Sequence, residues 1–118
     1  MKNDTRALGR QGENEALKYL TNLRYKLLKR NYRAERCEID LVMLDGETVV
    51  FIEVKARATT RYGLGREAVN KLKQQNILRA ARHYLKENTL FDAPVRFDVL
   101  EVLLPSVQIE HIKNAFGE

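Results

Sequence analysis

Ala16, Leu17, Leu20 and Leu23 recur at spacings of three and four, the period of one helical face, and predict a helix over residues 5–24. Carried back by one turn, the same stripe lands on Glu13, so this acid is expected to point with the core-facing side. Residues 25–33, YKLLKRNYR, predict a short strand. The stretch CEIDLVMLDGETVVFIEVKAR, residues 37–57, reads as two apolar strands around Asp45-Gly46, the composition of a type I′ hairpin turn with positive φ at both central positions. ATTRYGLG then reads as a polar loop. Residues 66–87 predict a long helix with Ala68, Val69, Leu72, Leu78, Ala81, Tyr84 and Leu85 on its apolar side. Asn88 to Pro94 end it, VRFDVLEVLL (95–104) predicts another strand, and the tail from Pro105 fits a short strand or a helix. The order is helix, three strands, helix, strand. Because the hairpin strands are apolar on both sides, an α/β sheet covered by helices on both faces is expected. With no repeat, low-complexity tract or linker, residues 1–118 are expected to form one domain.

Strands this apolar have reason to exclude charge, yet the hairpin holds Glu38, Asp40, Glu53 and Lys55. With Asp45 and Gly46 at the centre of the turn, Leu44 faces Glu47, Glu38 lies opposite Glu53, and Asp40 opposite Phe51. Side chains alternate along a strand, which puts Asp40, Glu53 and Lys55 on one face and the Val54 side chain on the other. Asp40 and Glu53 become diagonal neighbours, roughly 7 to 8 Å apart at the backbone. Carboxylates gathered on a half-buried sheet repel one another and lose hydration, which is costly unless positive charge is present. A divalent cation removes that cost. Mg²⁺ favours oxygen ligands, keeps several waters and needs only one or two protein carboxylates beside a substrate phosphate. Asp40 and Glu53 meet that requirement, and the Val54 backbone carbonyl offers a third oxygen. Lys55 is placed to orient an attacking water or to offset phosphate charge. An internal salt-bridge network of the same residues is the alternative.

Composition narrows the partner. The net charge of +5 is concentrated: residues 55–86 hold nine Lys or Arg against one acid, and residues 24–36 hold six against one, so the cations flank the acidic hairpin. That distribution suits an anionic partner, although two solvated element faces would look the same. Cys37 is the only cysteine, which excludes an internal disulfide and a thiolate zinc cluster. No apolar run reaches the length of a membrane span and no secretory h-region is visible, so a cytoplasmic location is expected. No Ser/His/Asp set and no glycine-rich phosphate loop can be assembled.

Other residues join the candidate list with a structural alternative beside each. Arg57 shares the face of Lys55 and is placed to bind phosphate or to pair with Glu38. Arg61 and Tyr62 give the loop a cation and an aromatic for phosphate contact and base stacking. Lys71 and Gln75, one helical turn apart, form either a nucleic-acid contact or a solvated face. Glu38 reads as a supporting residue, and His83 and His111 as structural ones.

These residues resemble the PD-(D/E)xK nuclease motif, with Asp40 as the acid and Glu53-Val54-Lys55 as E-x-K. Over nearly the whole chain, GRQGENEALKYL, LLKRNYR, EIDLVMLD, VFIEVKAR, ARHYL, RFDVLEV and IEHIKNAF resemble the YraN, or UPF0102, family of small bacterial proteins related to archaeal Holliday junction resolvases. The resemblance implies a restriction-endonuclease-like fold, a central mixed sheet with helices on both faces. It also implies an Mg²⁺- or Mn²⁺-dependent nuclease acting on DNA, on branched or single-stranded structures, in which two copies would present two sites. Glu13 matches the acid such nucleases carry on the first helix, where it is expected to complete the metal site, and Asp40, Glu53 and Lys55 match the core site. Cys37 stands where the family usually reads Gly. A nucleic-acid-binding module that keeps the fold without cutting is the alternative function.

Overall fold

The computed structural model describes residues 5–58 and 69–117. Its elements are α1 (Thr5–Asn22), β1 (Lys26–Ala34), β2 (Cys37–Asp45), β3 (Thr48–Arg57), α2 (Lys71–Glu87), β4 (Val95–Leu103) and β5 (Gln108–Phe116). The strands form one sheet in the order β1-β2-β3-β4-β5. Only β3 and β4 run parallel, and α2 supplies the crossover that parallel neighbours require. The tail, open between strand and helix on sequence grounds, is the edge strand β5, antiparallel to β4.

Two cores lie on opposite sides of the sheet. On one, Ala16 and Leu20 of α1 pack with Leu41, Val50, Ile52, Leu100 and Val102. On the other, Ile77, Ala80, Ala81 and Tyr84 of α2 pack with Ile39, Phe51, Phe97 and Val99. The protein is thus an α/β domain with a mixed sheet and a helix on each face, as the apolar hairpin implies. Among the described residues no helix is long and apolar enough to cross a membrane.

Helix α1 is shorter than its stripe suggests. Arg24 takes a left-handed φ of 73°, the Tyr25 N–H is donated to the Leu20 carbonyl (3.0 Å) and the Arg24 N–H to the Thr21 carbonyl (2.9 Å). This is a Schellman stop, and it leaves Leu23 outside the helix and 45% exposed. Helix α2 starts at Lys71, because Asn70 Oδ1 accepts the Lys73 N–H (2.8 Å) as an N-cap. Leu72 is consequently 67% exposed rather than on the apolar side. The predicted helical residues 66–68 lie outside the described residues.

The hairpin register also differs. Asp45 pairs with Thr48, so Gly46 and Glu47 form the loop, with Gly46 alone at positive φ (62°). That is the two-residue loop with glycine at its first central position rather than the type I′ turn. The loop with two left-handed residues is the preceding one, Glu35 (φ 53°) and Arg36 (φ 62°), between Ala34 and Cys37. Cys37 itself is buried in β2 with no positive φ.

Candidate active site

The observed β2–β3 register moves each partner by two residues relative to the predicted one: Val42, not Asp40, pairs with Phe51, and the ladder ends at Leu41 opposite Ile52. A shift of two keeps the faces of a strand unchanged. Beyond the end of the ladder, alternation no longer describes the arrangement. β2 continues beside β1 down to Cys37, and β3 continues beside β4 to Arg57, but the two no longer pair with each other. The sheet forks. Asp40 and Glu53 are the first residues on the two prongs.

Alternation slips at the fork. Ile39 belongs to the α2-side core and Leu41 to the α1-side core, although residues two apart on a regular strand share a face. Across from this point in β1, Asn31 takes a left-handed φ of 52°. Asp40 is therefore released from either packed face, and its Oδ2 accepts the Val54 N–H at 2.8 Å, bridging the gap that the backbone ladder leaves. Burial first, and then the charge of the neighbouring Glu53, push the Asp40 carboxyl up to about 8. The Val54 N–H works against that rise, Glu13 adds to it and Lys73 subtracts from it.

Glu53 is 6% exposed. Its Oε2 accepts the Lys73 ammonium of α2 at 3.0 Å, and the Lys55 ammonium stands 4.0 Å from the same oxygen. Burial pulls Lys73 down, but the Glu53 charge and hydrogen bond together with the Asp40 charge outweigh it, and the net direction is up. Sequence reasoning missed Lys73, although its position carried a signal: Lys73, Ile77, Ala80 and Tyr84 fall at spacings of four, three and four, on the face that α2 buries.

Glu13 reaches the fork from the other side of the sheet. A Cβ on Gly12 would lie 2.5 Å from the Ala56 Cβ, closer than real atoms approach, so only glycine lets α1 settle this near β3. Glu13, the next residue, accepts Asn31 Nδ2 at 3.2 Å on each carboxylate oxygen and Arg30 Nη2 at 3.4 Å. It is half-buried, as its place in the α1 stripe predicts.

The structure thus brings Glu13, Asp40, Glu53 and Lys55 to one locality around Val54 and adds Lys73. Among the described residues no three acids, histidines or cysteines close into a finished coordination cluster. Each carboxylate instead has an internal partner: Asn31 and Arg30 for Glu13, the Val54 N–H for Asp40, and Lys73 with Lys55 for Glu53. The donor set is all oxygen, burial and then the Glu53 charge push the Asp40 carboxyl up, and β2 and β3 no longer pair with each other beyond the fork. Those features fit a hard divalent cation such as Mg²⁺ or Mn²⁺, which would take oxygens from Asp40 and Glu53.

The remaining candidates fall elsewhere. Arg57 pairs with the buried Glu101 of β4, not with Glu38, which faces Arg33 across β1 at 3.7 Å. Lys71 and Gln75 are exposed on the outer side of α2, and Arg61 and Tyr62 lie outside the described residues. His83 contacts the Tyr32 hydroxyl (3.2 Å). His111 belongs to a separate network that sequence reasoning also missed: Asp98, fully buried in β4, meets Arg96 Nε and Nη2 (3.0 Å each), His111 Nε2 (2.7 Å) and the Asn114 N–H (2.9 Å). Arg96 continues to the Tyr25 hydroxyl (2.7 Å) and Asp45 (3.0 Å). An aspartate inside the apolar run VRFDVLEVLL was the available signal.

A forked mixed sheet with acids at the fork and lysines beside them defines an α/β domain with a buried, charged site. Residues 12–102 match the profile of the uncharacterised protein family UPF0102. The chain is 43% identical to a UPF0102 protein of Geotalea daltonii, covering 98% of this chain and 93% of the relative. It is 46% identical to one of Chlorobium chlorochromatii (97% and 94%) and 47% identical to one of Frankia casuarinae (93% and 96%). The chain belongs to the UPF0102 family.

Proposed function

We propose that the protein is a metal-dependent nuclease that hydrolyses phosphodiester bonds in DNA, at branched or single-stranded structures. The observation that carries this reading is the fork: Asp40 and Glu53 stand on separate strands where pairing stops, and Asp40 accepts the Val54 N–H while burial, and then the Glu53 charge, push its carboxyl up. A fold built only for stability gains nothing from setting two buried acids against each other. A divalent cation, when bound, supplies Lewis-acid polarisation of a phosphoryl oxygen and lowers the pKa of a bound water. Asp40 and Glu53 hold it, Glu13 orders the outer side of the site from α1, and Lys55 orients the attacking water and offsets charge gathering on the phosphate. Arg57 and Lys71 belong to the basic surroundings that favour a polyanion.

The alternative, a nucleic-acid-binding module without cleavage, draws on the internal partner that each acid already has. One experiment separates the two. Purified protein is incubated with Mn²⁺ or Mg²⁺ and linear, flapped and four-way DNA. Cleavage of at least one substrate, abolished by Glu53→Ala, is expected. Absence of cleavage on all of them, or cleavage unaffected by Glu53→Ala, selects the binding module.

A further inference from the structure

We propose that Lys73 is an exchangeable counter-ion: without metal its ammonium occupies the place on Glu53 that a divalent cation takes, and cation binding frees it to contact a phosphate of the nucleic-acid strand. The inference rests on the metal-site reading above and adds a second function to the helix that covers the fork.

Four observations lead to it. Glu53, almost wholly removed from water, must be neutralised, and two ammonium groups converge on its single oxygen Oε2. Lys55 sits on the same strand two residues away, whereas Lys73 arrives from a different element and makes the shorter contact, 3.0 against 4.0 Å. The first turn of α2 contains Lys71 and Lys73 and no acid, the wrong sign of charge for the positive end of a helix dipole. The helix therefore gains nothing from this lysine, and the Glu53 site does. Finally, the root of Lys73 is fixed while its tip is free to move. Its N–H is held by the Asn70 cap at 2.8 Å, yet its side chain is 41% exposed and carries its charge on a flexible stem.

Charge balance gives the exchange its direction. With a cation bound, Asp40 and Glu53 would both be ionised, and two carboxylates match one dication. With that match made, Lys55 and Lys73 would no longer have Glu53 to neutralise, and both would be left at the fork with their charge available. A phosphodiester arriving there meets two cations that were masked before. In the metal-free protein the same two lysines are spent on Glu53, which weakens attraction for nucleic acid when cleavage is impossible.

The test is calorimetric titration of Mn²⁺ into wild type, Lys73→Met, Lys73→Gln and Glu53→Gln, each checked for folding by its thermal melt. Removing a competing ammonium is expected to tighten Mn²⁺ binding about two- to fivefold in both Lys73 variants, the scale of one partly exposed ion pair. Glu53→Gln is expected to lose binding. In the same proteins, DNA affinity measured with Ca²⁺ present is expected to fall in the Lys73 variants, with a salt slope smaller by about one. Without divalent ions the variants should bind DNA like wild type. If Glu53→Gln binds Mn²⁺ as wild type does, the metal site itself is wrong. If Glu53→Gln loses Mn²⁺ but the Lys73 variants bind it equally or more weakly than wild type, the metal site stands and the exchange is overturned.

Discussion

Asp40→Asn is the perturbation whose size can be worked straight from the fork. Burial and the Glu53 charge raise the folded-state pKa of Asp40 from 3.8 to about 8, so between those values the folded chain holds a proton that the unfolded chain has lost. Stability from this group is fully present below pH 3.8 and is lost as pH rises toward 8. Each pH unit in that window costs about 1.4 kcal/mol per proton held. Relaxation of the fork around the ionised carboxylate reduces the total, and the expected fall between pH 5 and 8 is on the order of 2 to 4 kcal/mol. For a domain of this size that lowers Tm by roughly 10 °C. The asparagine keeps an oxygen for the Val54 N–H and carries no charge, so its stability curve should lack this fall. The assay is thermal unfolding of metal-free wild type and Asp40→Asn from pH 5 to 8. Convergence of the two curves at acid pH, with the variant ahead at pH 8, is expected. Parallel curves across the range would refute the crowding of Asp40 by Glu53.

Gly12→Ala should destabilise the domain by about 1 to 3 kcal/mol despite alanine's better helix propensity, because the added methyl meets Ala56 rather than open space; chemical denaturation measures it. The same change moves Glu13 away from the fork, so any activity is expected to fall further than stability alone accounts for. Asp98→Asn leaves Arg96 and His111 without their buried anion and should cost about 3 to 5 kcal/mol. Burial alone would raise the Asp98 carboxyl, but bonds from His111, Arg96 and the Asn114 N–H bring it below its ordinary 3.8. Its contribution is therefore present above pH 3.8 and lost as pH falls below that value, and the wild-type acid-denaturation limb, followed by circular dichroism, should shift to higher pH in the variant.

Local periodicity carries most of this fold. The spacing of Ala16 and Leu20 placed α1 and aimed Glu13 at the sheet, and apolar residues on both sides of the hairpin required two covering helices. Asp45-Gly46 located the hairpin but not its turn, because Gly46 is used at the first central position, and the resulting two-residue shift left the faces of the paired residues 41–45 and 48–52 where they were expected. The fork was not legible: nothing local says where two strands stop pairing, and the slip between Ile39 and Leu41 breaks the alternation on which face assignments rest. Lys73, Gly12 and the Asp98 network depend on contacts between residues far apart in the chain. For Lys73 and Asp98 the pattern did offer a clue, a cation on a buried helical stripe and an acid in an apolar strand. The close approach of Gly12 to Ala56 has no counterpart in either local sequence.

Anomalous scattering from crystals of the protein soaked in Mn²⁺ puts the metal site to its sharpest test. A peak within coordination distance of both the Asp40 and Glu53 carboxylates is expected in wild type, lost in Asp40→Asn and in Glu53→Gln. Mn²⁺ bound elsewhere only, or a peak at the fork that survives both substitutions, would rule out a cation held between these two acids.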